Sequence, residues 1–256
     1  MILLYRCLRK NCSGMGGNMK SSFKSKVRFS EVDMDCKLSF GKILDYLQDC
    51  SNFQSDSLGI GIDYQMKTNR AWILRSWRID INGVINNNDE IITTTWPIMF
   101  RRGYGKRNFT IAMEQEPEKY LVKAESVWII FDMEAKSLTK IEDKDIEKYE
   151  CEAPLEMNPI EKRIGHGDDY EQMEEYIVHK YHLDVNNHMN NSWYIKIAEE
   201  YVEHKEDIQT IRVEYKKSAK LGDTIIPYVC YDGKRYLIEL RSKDEEVYAI
   251  TEFIKK

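Results

Sequence analysis

The chain has 256 residues, 32% of them charged, and a formal net charge of −5. That length holds one large core or two small ones, and the mild acidity argues against a general nucleic-acid binder. No apolar run is long enough to span a membrane, and the six scattered cysteines, without a CxxC pair, read as free thiols of a reducing cytoplasm rather than as disulfides or a zinc site.

Residues 1–20 are basic, and no acid occurs before Glu31. The apolar start is too short for a signal-peptide core. This stretch is expected to be a disordered or non-native leader, with Met19 as the natural start. Alternation predicts a strand over 24–29. A helix of about five turns follows over 41–58. Its Ile43, Leu44, Leu47, Cys50 and Phe53 form one broad apolar face that needs a sheet to cover it, and Gly59 and Gly61 end it. Strand patterns then run over 71–81, 90–100, 107–114 and 120–131, with turn residues at 86–89 and 103–105. One helix followed by hairpin-linked strands predicts an antiparallel sheet wrapped around a central helix, an α+β arrangement.

Residues 134–169 are charged, contain Pro154 and Pro159, and lack a sustained period. They read as a linker, so the expected units are 21–141, a linker over 142–170, and 171–256. The second unit has strand patterns at 175–181, 210–217, 224–231, 235–242 and 247–253, and a helical stripe of Trp193, Tyr194, Ile197, Ala198, Tyr201 and Val202.

The two units are one pattern used twice. In the second, Asp184, Asn186 and His188 alternate along an extended segment, and Asn190 and Asn191 lead into the helix. In the first, Asp33, Asp35 and Lys37 occupy the same places before their own helix. Arg78-Ile79-Asp80-Ile81 likewise aligns with Arg212-Val213-Glu214-Tyr215. The offset between these two matches differs, which implies an insertion in the first copy between its helix and its next strand.

Residues 183–191, Leu-Asp-Val-Asn-Asn-His-Met-Asn-Asn, resemble a segment of the acyl-acyl-carrier-protein thioesterases of tandem hotdog type. So do Ala71-Trp72-Ile73-Leu74-Arg75, Lys106-Arg107-Asn108-Phe109, and Ala124-Glu125-Ser126-Val127-Trp128 through Ile141, in the family's order. The resemblance covers nearly all of the chain from about Ser21. It implies two tandem hotdog domains, the N-terminal one holding the acyl chain and the C-terminal one catalytic. It also implies hydrolysis of the thioester between a fatty acyl chain and the phosphopantetheine arm of acyl carrier protein, ending chain elongation.

That chemistry needs an activated nucleophile, an oxyanion site and a dry slot. Under the resemblance His188 is the general base for a water. Asn186 orients the water or the carbonyl. Asp184 either fixes these groups or attacks as a carboxylate. Backbone N–H groups near Asn190 and Asn191 would hold the oxyanion. Lys37, in the place of His188, is a poor base at neutral pH, so the first copy is expected to be non-catalytic. The family places an acid or cysteine at the positions of Ser218 and Ala219; here the acid is missing, and Ser218 is expected to hydrogen-bond a water or His188 without acting as a carboxylate. The expected acyl slot is Ile43, Leu47, Phe53, Trp72, Leu74 and Trp128. Arg101, Arg102, Lys106 and Arg107 are the expected docking patch for the acidic carrier.

No metal or organic cofactor is implied. Neither a nucleic acid nor a membrane is an expected partner, and the state is a monomer or homodimer. Two alternatives keep the fold: an acyl-coenzyme A thioesterase, and a non-enzymatic acyl-thioester-binding protein. A hotdog dehydratase fits less well, because neither copy shows another His-plus-acid arrangement.

Overall fold

A computed structural model of the protein describes residues 20–158 and 163–256. The expected leader therefore lies, but for Lys20, outside the described residues. The elements are β1 (Ser21–Lys26), α1 (Phe40–Ser57), α2 (Ile62–Thr68), β2 (Arg70–Ile81), β3 (Glu90–Arg101), β4 (Tyr104–Met113), β5 (Tyr120–Asp132), β6 (Ser137–Leu138), α3 (Asp143–Ile146), β7 (Glu171–Gln172), β8 (Tyr176–Ile177), α4 (Asn191–Glu199), β9 (Ile208–Tyr215), β10 (Thr224–Tyr231), β11 (Arg235–Arg241) and β12 (Val247–Lys255). Two expected strands differ: the first begins earlier, at Ser21, and the one expected over 175–181 shrinks to Tyr176–Ile177 because residues 180–182 turn as a 3-10 helix.

The strands form one antiparallel sheet ordered β1-β3-β4-β5-β2-β9-β12-β11-β10-β7. Counted outward from the β2–β9 seam, each half has the same connectivity: β2, β5, β4, β3, β1 on one side and β9, β12, β11, β10, β7 on the other. This is the tandem hotdog architecture. Arg78 pairs with Arg212 across the seam, so the two arginines that align in sequence meet at the pseudo-twofold axis, as equivalent residues do in an isologous contact.

Each half wraps its sheet around a helix. Leu44 and Leu47 of α1 are fully buried, as are Ile195 and Ala198 of α4, and one hydrophobic cluster runs through both halves. Each fully buried leucine contributes roughly 1.5–3 kcal/mol. α1 has 18 residues and α4 has 9. The longer α1, together with α2, is the insertion that the sequence offsets imply.

The linker is not loose. On the sheet face away from α1 and α4, Trp96 Nε1 donates to Ala153 O at 3.0 Å and Leu155 N to Asn108 Oδ1 at 2.9 Å. Further along, Ile164 N donates to Glu214 Oε1 at 2.9 Å and Tyr170 OH to Glu239 Oε1 at 2.8 Å. This cover explains why β4 is buried on both faces. Among the described residues no helix is long and apolar enough to cross a membrane.

Candidate active site

The segment between Leu183 and Met189 is not the extended strand end expected from its alternation. Leu183 and Met189 form an isolated antiparallel bridge, and the residues between them close into a loop. Asp184 N donates to His188 O at 2.8 Å. Asp184 Oδ1 accepts from Asn186 N at 2.8 Å and His188 N at 3.2 Å. Asn187, at φ 58°, makes the turn, in a left-handed conformation that asparagine tolerates.

The first copy builds the same loop. Val32 bridges Leu38, Asp33 Oδ1 accepts from Asp35 N and Lys37 N at 3.0 Å each, and Cys36 turns at φ 59°. The staple is present in the copy that has no histidine, so its cause is loop geometry. Asp184 fixes where Asn186 and His188 stand.

The loop docks through Met189 N to Ala219 O at 2.8 Å. Ala219 N in turn donates to Tyr194 OH at 2.9 Å, and burial pushes the Tyr194 hydroxyl up to about 12. Tyr215 OH donates to Asn191 O at 3.1 Å, and its own burial holds that hydroxyl well above its ordinary range. His188 is half-buried. Among the described residues its ring makes no hydrogen bond, and Ser218, exposed, makes none to it.

At α4, Asn190 Oδ1 accepts from Ser192 N at 3.0 Å and Ser192 Oγ at 3.1 Å, a side-chain N-cap. Asn191 N, the first N–H of the helix, has no partner among the described residues.

His188, Asn186, Asp184 and Ser218 stand at one end of a cavity of about 830 Å³. It crosses from β9 over β2 and β5 to β4, three strand spacings or roughly 14 Å. Trp72, Leu74 and Trp128 line it, as do Phe100, Asn190 and Asn191. Three expected slot residues do not. Leu47 is fully buried in the core, Ile43 is core beside a separate small pocket, and Phe53 is 52% exposed, packed edge-on against Phe23. They fall on other sides of α1. The cavity side of that helix is polar instead: Gln48, Asp49, Ser51, Asn52 and Ser55. Among the described lining residues the acids are Asp49 and Asp184. Loss of solvent, and then the Asp45 charge, hold the Asp49 carboxyl above its ordinary range.

Arg107 also lines the cavity, and it leaves the expected docking patch because it is only 6% exposed. It donates to Gln54 Oε1, donates to Thr95 Oγ1 at 3.5 Å, and lies 5.4 Å from the Tyr149 ring centre. No carboxylate among the described residues pairs with it, and burial lowers its pKa. Lys106 is paired with Glu125 at 2.6 Å, while Arg101 and Arg102 are exposed. At the end that holds His188 the cavity is lined by Lys216 and Lys217.

Sequence reasoning missed Gln48, Asp49, Tyr194 and Tyr215 as cavity residues, and took Arg107 for a docking residue. Gln48 had a signal. It stands nine residues after the Ser39 N-cap, as Glu199 stands nine after Asn190, so carrying the repeat alignment through the helices would have paired the two.

A tandem hotdog with a histidine loop lining a long cavity of mixed aromatic and polar wall defines a class, and sequence comparison names it. The acyl-ACP thioesterase N-terminal domain matches residues 18–149, and the acyl-ACP thioesterase C-terminal domain matches 165–255. The chain belongs to the acyl-ACP thioesterase family.

The chain is 22% identical over 240 residues to a chloroplastic acyl-[acyl-carrier-protein] hydrolase of Cuphea viscosissima, covering 86% of this chain and 56% of that protein. It is 22% identical over 226 residues to the chloroplastic oleoyl-acyl carrier protein thioesterase of Coriandrum sativum, covering 80% and 61%. It thus spans less than two thirds of the length of these plant relatives. Among solved structures, an acyl-ACP thioesterase from Bacteroides thetaiotaomicron superposes with a TM-score of 0.84 at 19% identity, covering 93% of this chain and 98% of that one. The 12:0-ACP thioesterase from Umbellularia californica gives 0.81 at 17%, covering 95% and 99%. At these identities the structural likeness establishes the fold.

Proposed function

We propose that this protein hydrolyses the thioester of fatty acyl-[acyl carrier protein], releasing the free fatty acid. Family membership supports the reaction. The observation that carries the site assignment is the unpaired imidazole of His188, held beside Asn186 by the Asp184 staple at the open end of the 830 Å³ cavity.

In this reading the C-terminal half is catalytic and the N-terminal half holds the chain. His188 takes a proton from water as the water oxygen attacks the thioester carbonyl carbon. Asn186 orients the attack, and the N–H groups at the start of α4 receive the developing oxyanion. Collapse breaks the C–S bond, and the proton passes to the departing thiolate. Asp184 already accepts two backbone N–H bonds, which favours the water route over carboxylate attack. Ser218 lines the pocket without supplying the family's acid, and Asp49 is the nearer substitute by charge.

Trp72, Leu74 and Trp128 line the chain's path. Carrier docking falls to Arg101 and Arg102, joined by Lys216 and Lys217, which are exposed though ion-paired with Glu214 and Glu246. A cytoplasmic setting fits the free thiols of Cys36, Cys50, Cys151 and Cys230.

The test is fatty-acid release from a ladder of acyl-carrier-protein and acyl-coenzyme A substrates, with wild type beside His188→Ala and Asn186→Ala. Expected is release favouring the carrier protein and a loss of about 10²-fold or more in each variant. Absence of release from every substrate would overturn the reading in favour of a binding protein, and a preference for coenzyme A would move the carrier assignment.

A further inference from the structure

The two central helices each reach to the start of the other across the pseudo-twofold axis, and they do so unequally: Glu199 meets a backbone N–H, Gln48 a side-chain amide. Glu199, nine residues after the Asn190 N-cap, reaches across the axis from α4 to the start of α1. There its Oε2 accepts from Gly41 N at 3.2 Å. Gln48, nine residues after the Ser39 N-cap, reaches from α1 to the start of α4. There its Oε1 accepts from Asn191 Nδ2 at 3.3 Å. The positions are equivalent and the side chains equal in length, but one carries an acid and the other an amide.

The difference follows the cavities. The start of α1 borders a pocket of about 120 Å³, whereas Gln48, Asn190 and Asn191 all line the 830 Å³ cavity. A helix N-terminus carries about half a unit of positive charge, concentrated on its free N–H groups. At the start of α1 that charge faces the carboxyl of Glu199. A carboxylate at the start of α4 would meet it likewise, and would repel any anion forming beside it. An amide gives the same reach and the same acceptor oxygen with no charge.

We propose that Gln48, contributed by the N-terminal copy, is a positioning residue of the active site: it holds Asn191 in place while leaving the start of α4 free to receive the oxyanion. This rests on the thioesterase reading above and adds a requirement to it. The site is not contained in the C-terminal copy alone, and residue 48 must be neutral.

Steady-state kinetics of the full chain between pH 5.5 and 9 test this, comparing wild type, Gln48→Glu and Gln48→Met on one acyl-carrier-protein thioester. Melting temperature is recorded at each pH. Neighbouring ionisable groups are Asp45 and Asp49 on α1, Lys196 on α4, Asp184 and His188 in the loop, and Tyr194 and Tyr215. They are common to all three proteins, so each variant is read as its ratio to wild type.

Gln48→Glu is expected to lower kcat about 10²-fold at high pH, the scale of a lost oxyanion donor, with KM within about twofold. Its ratio recovers as pH falls and the new carboxyl gains a proton, becoming a neutral mimic of glutamine. The carboxylates of Asp45 and Asp49 on the same helix favour the protonated form and place that recovery toward the acid end of the range. Gln48→Met should lose kcat at every pH without recovery, its melting temperature retained.

A ratio flat with pH for a folded Gln48→Glu, or a loss confined to KM, overturns the proposal. If Gln48→Glu does not fold, Gln48→Met decides alone, and wild-type kcat in that variant overturns it. A wild type inactive on every thioester removes the thioesterase reading and this proposal together. An active wild type with indifferent variants removes this proposal only.

Discussion

The paired loops allow scaffold and chemistry to be separated by the same change made twice. Asp33 and Asp184 each accept two backbone N–H bonds through one oxygen, at 3.0 and 3.0 Å in one loop and 2.8 and 3.2 Å in the other. Both carboxylates are half-buried. Replacement by alanine removes two charge-assisted bonds and leaves two amides partly desolvated. At about 1 kcal/mol for each bond in such a setting, each variant loses about 2 kcal/mol. For a chain of this size that lowers the melting temperature by roughly 4–8 °C. Asparagine keeps an acceptor oxygen in place and should cost less than half as much.

Thermal melts of Asp33→Ala, Asp33→Asn, Asp184→Ala and Asp184→Asn give the first readout. Thioester hydrolysis at 20 °C, where all four remain folded, gives the second. Expected are matched melting shifts for the two alanine variants. Activity should fall only for Asp184→Ala, and Asp184→Asn should keep most of it. If Asp184→Asn loses as much kcat as Asp184→Ala, the negative charge takes part in the reaction, and the scaffold argument drawn from Asp33 is wrong.

Glu199 predicts a pH dependence of stability. Burial raises its folded value to about 7 from an ordinary value of 4.5. The folded state therefore holds a proton that the unfolded state releases, and stability from this group is full below about 4.5 and is lost as pH rises through about 7. Glu199→Gln should remove on the order of 3 kcal/mol of that decline; urea midpoints at pH 5 and 8 measure it, and parallel curves for variant and wild type would refute it.

Arg107→Met removes a buried cation that has no carboxylate, so stability should change by less than about 1 kcal/mol. A loss of several kcal/mol in urea unfolding would show that its bonds to Gln54 and Thr95 are indispensable. Trp128→Ala opens the cavity wall and should move the preferred acyl chain to greater length. Each added methylene that finds apolar contact is worth about 0.8 kcal/mol, close to fourfold in kcat/KM; an unchanged optimum on the substrate ladder would place the chain elsewhere.

The repeat was legible because its cause is local. An aspartate that ties its own next few amides leaves a short, ordered pattern in the sequence, and so does the helix N-cap behind it. The strands were legible through alternation, and hairpin linkage accounts for β3-β4-β5 and β10-β11-β12, but not for β2 and β9, which pair with β5 and β12 instead of the strands that follow them. The acyl wall was less so. Periodicity marks which residues of α1 are apolar, but both the core and a cavity accept apolar residues. Ile43 and Leu47 satisfied the core, leaving the polar flank of the helix to face the cavity. Arg107 looked exposed because charge usually is, and only the crossing of β4 beneath α1 buries it. The extended reading of residues 184–188 failed for a related reason: alternating polar side chains suit a strand, but the short carboxylate of Asp184 offers the backbone a closer partner.

The β2–β9 seam is a backbone ladder between two parts of one polypeptide. Two separate chains meeting there would come apart on dilution, whereas here each half faces the other at a fixed, high effective concentration. Linkage also ends an obligation of symmetry. A dimer of identical subunits must display every substitution twice, so a longer α1 would wall two cavities and an amide in place of the acid would face both helix starts. In the joined chain the two helix starts diverge independently: that of α1 meets an acid beside a small pocket, while that of α4 meets an amide beside the large cavity.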